Sequence, residues 1–104
     1  KVFLMNNGHF GMVRQWQELF YEERYAATPL LSPDFVKLAE AYDIPARRVT
    51  QRSEIADAVK FAQATSGPAL LEFRVVKADM VWPMVPAGTD LSQMLRRPMP
   101  QETH

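Results

Sequence analysis

The sequence predicts an α/β fold, in which strands of a parallel sheet alternate with helices and an irregular, proline-rich tail follows. Three observations carry this expectation. Residues 2–5, Val-Phe-Leu-Met, are apolar without alternation and stop at Asn6-Asn7-Gly8, which marks a strand covered on both faces in a parallel sheet. Apolar residues then recur every three or four positions, as on one face of a helix. Residues 69–76 alternate as a strand does, directly after a Gly67-Pro68 helix stop.

From Met12 onward, Val13, Trp16, Leu19 and Phe20 form an apolar stripe, and the first helix runs to about Glu23 or Arg24. A loop at 28–31 separates it from the second helix. There Ser32-Pro33-Asp34 supplies a hydroxyl N-cap, a proline whose missing N–H is harmless in the first turn, and an acid at the positive end of the helix dipole. Phe35, Leu38, Ala39 and Tyr42 line its inner face. Pro45 ends this helix by restricting the residue before it, and 48–50 form a short second strand. Ser53 opens a third helix with Ile55, Val59 and Ala62 inward. In the last strand Leu71, Phe73 and Val75 share one face, and Glu72 and Arg74 the other. Beyond Lys77, Pro83, Pro86, Pro98 and Pro100 with Gly88 mark a tail holding one or two helical turns around 91–95. The chain thus divides into a partial α/β domain at 1–78 and a tail at 79–104.

A typical sheet has about five or six strands, and only three can be counted here. The opening strand is therefore expected inside a larger sheet, and the chain reads as a carboxy-terminal piece without an initial methionine.

With 104 residues, 47% hydrophobic and 23% charged, the chain is one domain or part of one and can build a core. Twelve Lys and Arg balance twelve Asp and Glu, so the electrostatic footprint of a nucleic-acid binder is missing. Arg47-Arg48 and Arg96-Arg97 read as solvated surface. The absence of cysteine excludes a disulfide framework and a thiolate metal site and suits a reducing compartment. No apolar run approaches the roughly 18–20 residues that cross a bilayer, and no signal-like start is visible. The expected protein is cytoplasmic, with neither nucleic acid nor membrane as a partner.

In open α/β sheets ligands bind beyond the carboxyl ends of the strands, and Asn6 to Gly11 occupies such an end. Asn7 offers a side-chain carbonyl, and the backbone carbonyl of His9 can curl toward the same point. Oxygen donors of this kind suit Mg²⁺, which completes its shell with waters and phosphate oxygens. Gly8 and Gly11 let the backbone approach a ligand closely, and the N-terminus of the following helix favours an anion. The stretch suits a phosphate-bearing cofactor. Asn6-Asn7-Gly8 also reads as an ordinary turn, since Asn-Gly adopts positive φ at little cost; yet a helical pattern follows it, not the second strand of a hairpin. The His9 imidazole has no second histidine or carboxylate at ligand spacing, so its carbonyl alone is a candidate. Met12, Val13, Trp16 and Phe20 suit core packing or a substrate wall.

Asn6-Asn7 is similar to the closing half of the thiamine-diphosphate-binding motif, and Gly11-Met12-Val13-Arg14-Gln15-Trp16-Gln17 resembles its version in the acetohydroxyacid synthases, or acetolactate synthases. Phe20-Tyr21-Glu22-Glu23-Arg24-Tyr25, the string from Pro33 to Tyr42, Gly67-Pro68-Ala69-Leu70-Leu71-Glu72 and Trp82-Pro83-Met84-Val85-Pro86-Ala87-Gly88 resemble catalytic subunits of the same family. The likeness extends to about Arg97. It implies the carboxy-terminal portion of a doubly wound, mainly parallel-sheet thiamine-diphosphate-binding domain. It further implies that Asn7 and the main-chain oxygen of His9 ligate Mg²⁺, and that Asn7, Gly8, His9, Gly11 and Met12 bind the cofactor, with Met12 near the thiazolium. Met12, Val13, Trp16 and Phe20 would line the substrate channel, in this family also the herbicide site, and Ala87 would fall in a tail segment folded over it. The implied reaction joins a hydroxyethyl group, derived from pyruvate by decarboxylation, to a second 2-ketoacid in branched-chain amino acid biosynthesis. Implied partners are the remainder of the catalytic subunit, further copies in a homo-oligomer and a regulatory subunit. FAD belongs to the complete protein and not to this segment; for a plant source the implied compartment is the plastid.

Three parts of the family pattern are absent from this sequence: the Gly-Asp-Gly half of the cofactor motif with its metal-binding aspartate, the glutamate that activates the aminopyrimidine, and the FAD-bearing middle domain. No catalytic residue is therefore assigned, and the segment alone is expected to be inactive on pyruvate. Two alternatives stand beside this function. One is a non-catalytic α/β module binding a nucleotide or partner, in which Asn6-Asn7-Gly8 is only a turn; the other is a different thiamine-diphosphate-dependent decarboxylase or carboligase.

Overall fold

A computed structural model describes residues 1–98. Its elements are β1 (Val2–Asn6), α1 (Gly11–Phe20), α2 (Phe35–Glu40), β2 (Ala46–Val49), α3 (Ile55–Ala64) and β3 (Leu70–Arg74), with short 3-10 turns at Arg52–Glu54 and Leu91–Gln93. The strands form one parallel sheet in the order β1-β3-β2, so the last strand in sequence lies in the middle. Leu4 and Arg48 flank Glu72 from either side, and Asn6 faces Arg74. Parallel neighbours need crossover connections, which the helices supply. All three carboxyl ends consequently lie on one edge, and β1 delivers Asn6 there.

The core is compact and built of small residues: Val49, Ala58, Ala62, Ala69 and Leu71 are buried, with Phe61 and Phe73 packed against them. It sits where α3 covers β2 and β3. The Cα radius of gyration is 17.8 Å, well above the roughly 13 Å of a compact domain of this length. Among the described residues no helix is long and apolar enough to cross a membrane.

Several elements differ from their sequence expectations. β1 was expected under cover on both faces, but Val2, Phe3 and Met5 are exposed, because β1 is an edge strand of the described sheet. α1 stops at Phe20, short of Glu23. Beyond it the N–H groups of Tyr21 and Glu23 both return to the Gln17 carbonyl at 3.2 Å, while Glu22 and Glu23 take left-handed φ of 53° and 57°. Gln17 then brackets the backbone of Ala26 with both ends of its amide, at 2.9 and 3.2 Å, so the chain reverses against its own helix.

The N-cap of α2 is Asp34, not Ser32: the carboxylate accepts from Val36 and Lys37 N–H at 3.1 and 3.2 Å, and an ionised oxygen at a helix start is a strong acceptor. Only Ala39 of its expected inner face is buried; Phe35 is half-buried, and Leu38 and Tyr42 are exposed. Asp43 at φ 56° closes this helix, with Ile44 N–H on the Ala39 carbonyl at 3.0 Å and Asp43 N–H on Glu40 at 2.9 Å, the paired bonds of a Schellman stop. β2 begins two residues earlier than the expected 48–50 and ends at Val49. The third helix is started by Gln51 and Glu54, not Ser53, and turns Ala58 and Ala62 inward while Ile55 is exposed and Val59 half-buried.

β3 ends at Arg74, leaving Val75 exposed. Its largest departure is Glu72. Alternation put this residue on a polar face, but the central strand is covered on both faces and Glu72 is 0% exposed. In the tail, Met84 and Leu95 exchange backbone hydrogen bonds at 2.9 and 2.7 Å beside the 3-10 turn. Pro100, with the rest of 99–104, lies outside the described residues.

Candidate functional site

At the carboxyl end of β1 two asparagines fold the chain back on itself. The Asn6 side-chain oxygen accepts the Gly8 N–H at 3.0 Å, and the Asn7 oxygen accepts the His9 N–H at 3.1 Å, two successive Asx turns. Gly8 supplies the φ of 68° that they require. His9 Nδ1 lies 3.1 Å from the Asn7 carbonyl oxygen and so carries the proton, which ties the ring to the turn. The loop before α2, expected to be a plain connection, instead braces this turn. Phe10 N–H donates to the Thr28 carbonyl at 2.9 Å and Leu30 N–H to Gly8 at 2.8 Å, with Thr28 fully buried.

Among the described residues, the His9 carbonyl accepts no hydrogen bond, and the Asn7 amide oxygen, engaged once, has a second lone pair. Gly11 opens α1 with no room to spare: a Cβ there would stand 2.8 Å from Asn7 Nδ2. No group of three His, Cys, Asp or Glu among the described residues could hold a metal. The donor set is thus two oxygens without a carboxylate. That fits a hard cation of the Mg²⁺ type as part of a shell completed by other oxygens.

Behind the turn lies the buried carboxylate. Glu72 Oε1 accepts from Asn6 Nδ2 at 2.7 Å and pairs with Arg74 Nε at 3.0 Å; Oε2 accepts from Arg48 Nε at 2.7 Å. Arg48 also donates to Asp34 at 2.6 Å, joining the cap of α2 to the sheet. Burial pushes the Glu72 carboxyl up, but the hydrogen bonds from Arg48 and Asn6 and the charges of Arg74 and Arg48 outweigh it and leave it below the ordinary carboxylate value.

Met12, Trp16 and Phe20 of α1 face Pro83, Met84 and Ala87 of the tail across a cavity of about 690 Å³. Four of the five residues expected to line a substrate channel, Met12, Trp16, Phe20 and Ala87, are thereby brought together on one cavity. Val13, 40% exposed, is not in the lining. Positions 12, 16 and 20 lie on one helical face, and position 13 is turned about 100° from it. The residue that sequence reasoning missed is Gln15, 2% exposed, whose amide donates to the Val81 carbonyl at 3.0 Å and accepts the Val81 N–H at 2.9 Å. A polar residue at helical spacing within the apolar stripe of Met12, Trp16 and Leu19 was the available signal.

Gln15 therefore docks the tail. Gln15→Ala would remove both hydrogen bonds to the Val81 backbone and leave its N–H and C=O to water, a cost of about 0.5–1.5 kcal/mol for each bond. In the complete protein, amide exchange at Val81 is expected to accelerate about tenfold or more. Unchanged protection there would remove the clamp from consideration.

Residues 1–73 match the family model described as the thiamine pyrophosphate enzyme, C-terminal TPP binding domain. The chain is 45% identical over 95 residues to the mitochondrial acetolactate synthase of Schizosaccharomyces pombe, covering 91% of this chain and 14% of that protein. It is 40% identical over 98 residues to the acetolactate synthase isozyme 2 large subunit of Escherichia coli, covering 93% and 18%. It is 48% identical over 95 residues to an acetolactate synthase of Mycobacterium avium, covering 86% and 15%. These relatives bear the name to which the sequence resemblance pointed, and the chain spans between 14% and 18% of their length. The parallel α/β sheet, the paired Asx turns at its carboxyl edge and the family match agree: the chain belongs to the thiamine pyrophosphate enzymes, in their C-terminal TPP-binding domain.

Proposed function

We propose that this chain is part of a thiamine-diphosphate- and Mg²⁺-dependent acetolactate synthase. The observation that carries the reading is a single junction, Asn7 to Met12. There the oxygens of Asn7 and His9, the N-terminus of the ten-residue α1 and the mouth of an apolar cavity meet at the carboxyl edge of a parallel sheet. The identity to proteins named acetolactate synthase supports the choice of reaction over other decarboxylases and carboligases.

When bound, thiamine diphosphate supplies the carbanion chemistry by which a two-carbon unit from pyruvate is joined to a second 2-ketoacid. This chain's part is to bind and to shape. The Asn7 amide oxygen and the His9 carbonyl would hold the Mg²⁺, with Gly8 and Gly11 keeping the approach open. Met12 bridges the turn and the cavity. Trp16 and Phe20, with the tail over them, would exclude water and receive the apolar side of the ketoacid. Val13, off the described lining, is retained only as a neighbour of that wall. The remaining metal ligand, the activating glutamate and FAD would come from the rest of a catalytic subunit. That subunit would work as a homo-oligomer with a regulatory partner, in the cytoplasm or in the plastid of a plant.

The test is direct. The complete protein is expected to convert pyruvate to acetolactate only with added thiamine diphosphate and Mg²⁺, and the 104-residue chain alone to convert none. Asn7→Ala in the complete protein is expected to weaken Mg²⁺ and cofactor binding by about tenfold to a hundredfold, the range seen for groups that support a metal site. Decarboxylation without condensation would favour a sister enzyme, and unchanged binding by Asn7→Ala would overturn the site.

A further inference from the structure

We propose that Glu72 is a positioning residue for the metal turn, acting through Asn6; the inference rests on the reading of Asn7 and His9 given above. A carboxylate with no exposure in the central strand is costly to bury and is retained only with partners. Arg48 and Arg74 supply charge enough to hold it in the fold. Asn6 is the partner that leads elsewhere. Its Nδ2 is fixed on Glu72 at 2.7 Å, and its Oδ1 on the Gly8 N–H at 3.0 Å, so both ends of one nearly buried amide are committed.

The amide has two orientations, and the carboxylate selects between them. An acceptor at Glu72 requires the NH₂ end, which leaves the oxygen for Gly8. Reversed, the amide would point a donor at a donor, and the first Asx turn would open. The next residue is Asn7, the one after Gly8 is His9, and the positions of their oxygens follow from that turn. Glu72 thus sets the metal ligands from two hydrogen bonds away.

Glu72→Gln tests this at constant volume. Arg74, 46% exposed, turns to solvent, whereas Arg48, anchored a second time by Asp34, takes the glutamine oxygen, and the glutamine NH₂ then faces Asn6 Nδ2. Arg48→Met is the control: it removes the partner of Oε2 and leaves the bond from Asn6 to Oε1 in place. In the complete protein freed of cofactor by chelation and dialysis, thiamine diphosphate and Mg²⁺ binding would be followed by tryptophan fluorescence, with the thermal midpoint measured alongside. Glu72→Gln and Asn6→Ala are each expected to raise the dissociation constants about tenfold, and the double variant no further. Arg48→Met is expected to lower the thermal midpoint while binding stays within about twofold.

Wild-type binding by Glu72→Gln, additive losses in the double variant, or an equal loss in Arg48→Met would overturn the proposal. If Glu72→Gln does not fold, Asn6→Ala decides, and wild-type binding by it overturns the proposal equally. Asn7→Ala separates the two levels. Loss there with none in Glu72→Gln sinks the inference alone, whereas no loss in Asn7→Ala sinks the site on which it rests.

Discussion

Glu72→Ala is expected to destabilise the domain by about 1–3 kcal/mol, the cost of leaving the nearly buried Asn6 amide without its acceptor. Three donors converge on this carboxylate from β1, β2 and β3. Arg48 keeps Asp34 and Arg74 reaches solvent, whereas Asn6 is nearly buried and has no substitute. The variant also separates charge from volume through pH. The Glu72 carboxyl lies below its ordinary 4.5 in the fold, so the unfolded chain binds more protons in that range, and stability rises with pH there. Its contribution is fully present above about 4.5 and is lost as the pH falls through the lower folded value. Asp34 and Glu54 are lowered by backbone hydrogen bonds and act in the same direction, so the wild-type acid limb is shared. The difference between wild type and Glu72→Ala isolates Glu72. The gap in thermal midpoint is expected to narrow as the pH falls through the lowered carboxyl value; a gap of constant size would assign the loss to packing alone.

Glu72 also shows where sequence legibility stops. Alternation along 69–76 states which residues share a face, and that held for the strand itself. Whether a face is covered depends on strand order, and the β1-β3-β2 arrangement is set by pairings distant in sequence, Val2 with Leu70 and Ala46 with Leu70. The α/β class, the three strands and the three helices were legible because their signals are local: an unbroken apolar run, helical spacing, and a glycine-proline stop. Helix ends were less so. Ser32 and Asp34 both satisfy the preference for a cap, and the competition is decided by the carboxylate and by Arg48, fourteen residues away. α1 ends on two glutamates at positive φ, a stop that no glycine announces.

The candidate site divides along the same line. The turn at Asn6 to Gly8 was legible from residue types, since side-chain amides and a glycine make Asx turns by short-range bonding. Spacing alone could not pair α1 with Ala87; the resemblance brought them together, and the structure sets both on one cavity. Gln15 was hidden because its partner, the Val81 backbone, carries no residue-type signal.

Gly11→Ala is expected to separate binding from folding more sharply than any other single change at this site. Gly11 begins α1 with ordinary helical backbone, so alanine brings no strain of φ and a helix-propensity gain of up to about 1 kcal/mol. The new methyl carbon would stand 2.8 Å from Asn7 Nδ2, a separation that carbon and nitrogen do not sustain. The far end of a side chain can swing away at low cost, so what moves is the Asn7 carboxamide. Stability is expected to hold or rise, while affinity for Mg²⁺ and thiamine diphosphate falls about tenfold to a hundredfold. Gly8→Ala adds a stability loss that Gly11→Ala lacks. At φ 68° with nothing within 4 Å, its methyl meets no neighbour, and the backbone carries the penalty, about 1–2 kcal/mol of stability. Equilibrium dialysis of the metal together with thermal midpoints on the two variants distinguishes them. Undiminished Mg²⁺ affinity in Gly11→Ala would mean that the Asn7 oxygen is not what holds the ion, because no other ligand at this turn lies in the path of that methyl group.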